Sequence, residues 1–496
     1  MGIFPKPAIL IAKIESKLPQ KAKTNYRKKQ KQNTTKNQNK MPQKAKMIWL
    51  FHLFYVTLQR NLNICNMGYL KRTADAILEQ HLEAFGAILI EGPKWCGKTT
   101  TAEQVAKSVI KLQDTDMRDE YLATAAAKPS LLLNGETPRL IDEWQDAPVL
   151  WDAVRTMVDN RKVPGQFILT GSNAVDKKKI HHSGTGRISK LNMLPMSLWE
   201  SGESNGKISL IELFNNPDMD IDGIESDLSV EELVFCACRG GWPATVNIKS
   251  DKAKLLVARN YVKTVCSEDI SRVDGVSRDE VLTRMIIRSY ARNISTLVKK
   301  STLIEDVAAS GEVSCTEPTF DDYVGALRKL FVICDLDAWC PAIRSKTAIR
   351  TGPKRAFVDP SIAVAALGLT PEALLTQLKT FGFYFEQMCI RDFKAYTLDF
   401  ESHMSHYRDR YGLESDLVLH LGDGRYALIE CKLGSREIED GASHLVEIKR
   451  LIREYNKVEK QVPLREPDLM IVVTGGKMAY TRPDGVKIIP LACFKD

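Results

Sequence analysis

An apolar run, Ala87-Ile88-Leu89-Ile90, leads after Glu91 into Gly92-Pro93-Lys94-Trp95-Cys96-Gly97-Lys98-Thr99, and this junction constrains the fold more than any other stretch of the chain. The eight residues fit G-x-x-x-x-G-K-[ST] without a mismatch. Glycines let the backbone curl so that its N–H groups turn inward. A helix starting at the Lys-Thr pair adds the positive end of its dipole, and the two together form a seat for phosphate. That geometry needs a buried strand entering and a helix leaving, so the expected fold class is α/β with a parallel sheet. The ligand expected is Mg-ATP. Gly92, Pro93, Lys94, Trp95, Cys96, Gly97, Lys98, Thr99 and Thr100 would line the phosphates. Lys98 would reach the β/γ-phosphates, and the Thr99 hydroxyl would ligate Mg²⁺.

Such a site needs acids to hold the metal and activate water. Arg139-Leu140-Ile141-Asp142-Glu143 supplies them, as an apolar strand ending in two carboxylates 44 residues after Lys98. Asp142 is expected to hold Mg²⁺, and Glu143 to orient or deprotonate the attacking water. The next candidate strand, Gln166–Thr170, ends in Gly171-Ser172-Asn173. Asn173 or Ser172 would sense the γ-phosphate or position water, although a plain turn explains them equally well. Arg187 is a candidate arginine finger, in cis or in trans, or a surface arginine.

The expected order is a helix, the strand Ala87–Glu91, a helix from Thr99 to about Lys111, the strand Arg139–Asp142, the helix Leu150–Arg161 and the strand Gln166–Thr170. A polar stretch, 201–227, marks a boundary or inserted loop. Helical patterning fills 230–336, and a mixed pattern follows Pro353. The expected domains are 1–66, 67–215, 216–350 and 351–496.

Charge is unevenly placed. Residues 1–66 carry 14 of the 70 basic and one of the 62 acidic residues, so the other 430 carry 56 basic and 61 acidic. The basic balance therefore belongs to the tail and does not mark the folded body as a nucleic-acid binder. Residues 21–46 are low-complexity Lys, Gln, Asn and Thr, which cannot bury enough to fold. The apolar run Met47–Leu58 is too short to span a bilayer, so no membrane is expected. The segment reads as a disordered extension, non-native or dispensable, with Met67 a natural start. A basic tail that sticks weakly to nucleic acid or membrane is the alternative. Eleven cysteines without a CxxC pair point to reduced thiols and a cytoplasmic location.

With these motifs in hand, the chain from about Tyr69 to Cys493 resembles a widespread prokaryotic family of AAA-type ATPases whose members carry a C-terminal domain of unknown function related to PD-(D/E)xK nucleases. The resemblance rests on the loop, Leu140–Glu143, Leu169–Asn173, Gly186-Arg187, Lys354–Pro360, Phe385-Glu386-Gln387, Glu414–Asp416 and Glu430–Lys432. It implies an AAA-like first domain and a restriction-endonuclease-like α/β C-terminal domain, with no established substrate. Lys94-Trp95-Cys96 departs from the family's usual Arg-Gln-Val, at positions that contribute backbone. The region 288–336 looks like a winged helix, with 319–330 as its second helix and a strand over Phe331–Leu336. The same helix is also an ordinary packing helix, and Asp321 and Asp322 do not favour reading DNA.

Leu413–Leu421 and Tyr426–Lys432 flank Gly422-Asp423-Gly424, a hairpin signal. Asp416 and Glu430 lie seven residues either side of Asp423 and should face each other. Glu430 and Lys432 share one face. Two carboxylates and a lysine suit metal-dependent phosphodiester cleavage. Asp416 and Glu430 would hold the metal, Lys432 would orient water, and Glu386 would complete the set. The leading expectation is an ATPase controlling a nuclease-like domain that acts on DNA or RNA. The alternative is an ATP-dependent switch or scaffold with an inactive nuclease-like domain and a protein partner. Either could oligomerise.

Overall fold

In the first sheet, short runs without charge in their centres become strands because both of their faces are covered. β1 (Ala87–Glu91), β3 (Arg139–Asp142) and β4 (Phe167–Gly171) are buried through their middles. Alternation sorts their side chains into two cores. Ala87, Leu89, Ile141, Phe167 and Leu169 join one, and Ile88, Ile90, Leu140 and Ile168 the other. Helices cover both sides: α1 (Thr73–Ala84), α2 (Lys98–Val105), α3 (Arg118–Ala127) and α4 (Val149–Arg161). Leu150, Trp151, Val154 and Val158 form the inner stripe of α4.

Two further strands complete the sheet, β2 (Ser108–Lys111) and β5 (Ile188–Asn192). The order is β2-β3-β4-β1-β5, with every pairing parallel. The helix expected to run to Lys111 ends at Val105, and its last residues form β2.

The structure, a computed structural model, describes residues 69–172, 183–309, 311, 313–340, 352–458 and 463–496. The expected basic extension 1–66 and Asn173 lie outside the described residues. Tyr69–Asp496 forms one unit.

A helical region follows: α5 (Val230–Arg239), α6 (Asp251–Thr264), α7 (Glu280–Arg292), α8 (Lys300–Ala308) and α9 (Glu317–Lys329). The expected strand Phe331–Leu336 is reduced to two isolated bridges, Ile333 with Phe357 and Leu336 with Lys354.

Beyond α10 (Pro360–Ala366) and α11 (Leu378–Tyr396) lies the second sheet. Its strands are β7 (His403–Arg408), β8 (Glu414–His420), β9 (Tyr426–Lys432), β10 (Leu469–Thr474), β11 (Tyr480–Thr481) and β12 (Lys487–Pro490). They are arranged β11-β12-β10-β9-β8-β7. The expected hairpin is β8–β9, antiparallel with Leu417 opposite Ile429. One face packs on α12 (Ile438–Asn456) through Ile438, Leu445 and Ile448, and the other on α11 through Phe385, Met388 and Cys389. That second core runs continuously from Leu198 to Phe494, so the helical region and the second sheet share it. The chain end also returns, as β13 (Phe494–Lys495), to pair with β6 (Ile208–Ser209).

Candidate active site

With β4 between β1 and β3, the carboxyl ends of these parallel strands meet, which is where open α/β sheets bind ligands. β1 delivers the phosphate loop, β3 delivers Asp142 and Glu143, and β4 delivers Thr170 and Ser172. Register pairs Glu91 with Gly171 and Ile141 with Leu169, so the three ends are level.

The loop is built for close backbone approach. A Cβ at Gly92 would stand 2.1 Å from the Met193 carbonyl oxygen, and Gly97 has a left-handed φ of +99°. Only glycine takes both positions without strain. Lys98 is buried and curls into the loop, donating to the carbonyls of Gly92 at 3.0 Å and Pro93 at 2.9 Å. Thr99 Oγ1 donates to Asp142 Oδ1 at 2.7 Å, and Thr170 Oγ1 donates to the same oxygen at 2.6 Å.

Glu143 also has a left-handed backbone, φ +55°, which in a non-glycine residue costs on the order of 1 kcal/mol. Its carboxylate is held by Ser172 Oγ at 3.1 Å and by the Gln145 amide, both on Oε2. Its N–H donates to Thr170 Oγ1. Trp95 in the phosphate loop shares this left-handed backbone, φ +66°, so both the loop and the residue expected to act on water carry such strain.

The rest of the loop faces the helical region. Lys94 Nζ lies 2.6 Å from Asp269 Oδ1, at the end of a π-helical turn, Val265–Asp269, that continues α6. Trp95, half exposed, stands 6.2 Å from the Tyr261 ring. Pro93 and Cys96 are buried, while Thr100 is exposed on the first turn of α2.

Of the readings open for Arg187, the geometry speaks against one, a finger in cis, and agrees with a surface arginine. Arg187 enters β5 at the opposite end of the sheet, where its carbonyl accepts from Ala87 N, and its guanidinium pairs with Asp159 at 2.8 Å. The length of β1, roughly 16 Å at 3.3 Å per residue, separates it from the loop. Arg187 is therefore no arginine finger in cis.

The second sheet brings Glu386, Asp416, Glu430 and Lys432 together, and adds two residues that sequence reasoning missed. Lys354 is buried with its Nζ 2.7 Å from Glu386 Oε1 and 3.3 Å from Asp416 Oδ1, and it also donates to the Asp416 carbonyl. Lys432 Nζ contacts Glu430 Oε2 at 2.6 Å and Asp416 Oδ2 at 3.4 Å. His444, on α12, lies 3.6 Å from Glu430 Oε1. Cys431 N donates to Asp416 Oδ2. Lys432 thus bridges Asp416 and Glu430, where a metal was expected, and Lys354 bridges Glu386 and Asp416 beside it. Among the described residues no group of three or more His, Cys, Asp or Glu is placed to hold a metal ion.

Burial of three acids against two lysines favours one neutral acid. Burial lifts Glu386 to about 8 despite the pull of Lys354. Burial also opposes the charge on Asp416, yet Lys354, Lys432 and the Cys431 amide hold it down at about 2. Burial raises Glu430 as well.

A pH dependence follows for Glu386. Its folded value stands above the unfolded one, so the folded state binds the extra proton, and stability falls as pH rises from about 4.5 to about 8. The slope should approach 1.4 kcal/mol per pH unit inside that window and flatten above it. Urea unfolding at pH 5, 6.5 and 8 checks this, and Glu386→Gln should lessen the slope, most clearly between pH 6.5 and 8, while the raised Asp392 and Glu430 keep part of it.

A parallel sheet that gathers a phosphate loop, a strand-end acid pair and hydroxyls at a third strand defines a P-loop ATPase domain of AAA type. In agreement, residues 84–201 match the model of a family described as AAA domain. Residues 230–373 and 381–494 match two families described as domains of unknown function, DUF8612 and DUF4143. Among curated proteins, the chain is 24% identical over 362 residues to the uncharacterized proteins Rv2008c of Mycobacterium tuberculosis and Mb2031c of Mycobacterium bovis, covering 72% of this chain and of each of them. Among solved structures it overlaps the Walker-type ATPase PABY2304 of Pyrococcus abyssi at 14% identity and TM-score 0.37, over 60% of this chain and 96% of that one. It also overlaps PH0952 of Pyrococcus horikoshii, a STAND protein with a tetratricopeptide repeat sensor, at 12% identity and TM-score 0.18, over 66% and 48%. Among the described residues no helix is long and apolar enough to cross a membrane.

Proposed function

We propose that this chain is an Mg²⁺-dependent ATPase that works as a switch, passing its nucleotide state to its C-terminal domain. The supporting observation is the pair of hydroxyls on Asp142: Thr99 from the loop helix and Thr170 from β4 donate to one carboxylate oxygen. A hydroxyl and a carboxylate are hard oxygen donors that suit Mg²⁺. When bound, the ion would neutralise charge on the phosphates. Lys98 then neutralises the phosphate chain in ground and transition states, and Glu143 takes a proton from water while Ser172 and Gln145 aim its carboxylate.

In this reading 67–215 is the motor, 216–350 the relay and 351–496 the output. The relay touches the loop through Asp269 and Tyr261 and shares its core with the output domain. It is a poor DNA reader, because the exposed charges of α9 are engaged: Glu317 and Asp321 with Lys300, Asp322 with Arg278, Arg328 with Asp335, Lys329 with Asp274.

A second reading, cleavage of DNA or RNA at the C-terminal cluster, is favoured by the convergence of Glu386, Asp416, Glu430 and Lys432. Lys354 weighs against it, since a cation would have to displace a buried ammonium bonded to two of the acids. The output is then a protein partner. One preparation tests both readings. The full chain should release phosphate from ATP with Mg²⁺, stop with EDTA, and leave single- and double-stranded DNA and RNA intact with Mn²⁺. No hydrolysis with Mg²⁺ would sink the ATPase reading. Cutting that disappears in Asp416→Asn would replace the switch by a nuclease.

A further inference from the structure

Arg72 lies outside every motif of the loop, yet it is buried and every nitrogen of its guanidinium is engaged, one of them on the loop itself. Its backbone N–H caps onto Asp75 at the start of α1, which fixes where the side chain departs. Nη1 donates to the carbonyl of Cys96, inside the phosphate loop, at 2.7 Å. Nη2 donates to the carbonyl of Leu194, just past β5, at 2.7 Å, and Nε pairs with Glu200 at 3.0 Å. Glu200 is fully occupied in turn, accepting from Thr73 N and Oγ1 on one oxygen and from Ser197 N and Oγ on the other. The neighbouring Tyr69 bonds Thr101 on α2, so the segment 69–73 wraps the outside of the loop.

The consequence is in the peptide unit. In a trans peptide the C=O and the following N–H point in opposite directions. With the Cys96 carbonyl held by a buried cation, the Gly97 N–H is turned away from Arg72, while Lys98, the next residue, curls back onto the Gly92 and Pro93 carbonyls. The left-handed φ of Gly97, +99°, is what lets the chain turn into the helix at this point. We propose that Arg72 is a positioning residue for ATP: it presets the Cys96–Gly97 peptide so that the Gly97 amide faces the phosphate chain. This rests on the ATPase reading above. A dipole fixed in advance needs no reorganisation when charge arrives, and a fork that reaches two carbonyls and a carboxylate at once is a task lysine cannot perform.

The test separates positioning from folding. Arg72→Met leaves Glu200 buried and unpaired, which risks the fold. Arg72→Lys keeps the charge for Glu200 and gives up the Cys96 clamp. Affinities of ADP and AMP for the full chain are measured beside thermal melting. AMP stops short of the Gly97 amide, so Arg72→Lys should weaken ADP about tenfold, the worth of one charged hydrogen bond, and leave AMP within about twofold. Glu200→Gln, which keeps both carbonyl contacts of Arg72, should lower the melting temperature without changing the ratio of the two affinities. The inference is overturned if Arg72→Lys discriminates ADP from AMP as the wild type does, or if Glu200→Gln loses as much discrimination. A wild-type chain that binds no ADP overturns the ATPase reading itself, a different result.

Discussion

Glu143→Gln is expected to bind ATP within about threefold of the wild type while kcat falls by about 10²–10⁴, the span of a lost general base. Lys98→Ala is expected to lose both binding and turnover. The difference follows from what each side chain can touch. Lys98 already lies inside the loop on the carbonyls of Gly92 and Pro93, so incoming phosphate meets its ammonium in ground and transition states alike. Glu143 stands at the end of β3 on Ser172 and Gln145, off the loop, and its carboxylate acts on water. Removing its charge leaves the phosphate seat intact. Binding titrations with ATP and single-turnover phosphate release distinguish the two. Equal loss of affinity in both variants would place Glu143 in the phosphate seat and refute the assignment.

The parts of this site that could be read from sequence are those with a local signature. Strands β1, β3 and β4 show because central parallel strands, covered on both faces, become unbroken apolar runs. Edge strands carry no such mark. In β2 only Ile110 is buried, and in β5 only Ile188 and Leu191, so Ser108–Lys111 reads as more helix and β5 goes unseen. Missing β5 is what left Arg187 open between an arginine finger and a surface arginine: without the strand, nothing shows that this arginine enters the sheet at the end away from the loop. The facing of Asp416 and Glu430 was legible because a tight turn sets hairpin register. Lys354 was not, because it meets Glu386 and Asp416 across 32 and 62 residues of chain, and no spacing rule covers such a contact. Arg72 hides in the same way, as an ordinary residue ahead of a helix whose partners lie 24, 122 and 128 residues on.

Arg391→Met is expected to destabilise the protein by about 3–5 kcal/mol, the cost of leaving buried charge without its partner. Arg391, on α11, is almost wholly buried and bonds Asp359 Oδ2 at 3.1 Å and Asp392 Oδ1 at 2.8 Å, both carboxylates inaccessible to solvent. Each acid in turn holds backbone from another part of the fold. Asp392 accepts from Leu198 N, just beyond the sheet of the ATPase domain, and Asp359 accepts from Gly241 N at the end of α5 and from Ser361 N on α10. One guanidinium therefore ties together, through its two acids, the segment after the first sheet, the end of α5 and the start of α10, a little over one helical turn from Glu386. Methionine keeps much of the volume, so the loss measures charge more than cavity. Burial already lifts Asp392 to about 6 against the pull of Arg391, and without that cation it should rise further. A carboxyl raised above its unfolded value costs stability as pH climbs from about 4 through its folded value. The deficit of Arg391→Met should therefore be smaller at pH 5 than at pH 8. Urea unfolding of both proteins at the two pH values gives the answer. A loss below about 1 kcal/mol with no change in its pH dependence would show that the triad adds nothing at this junction.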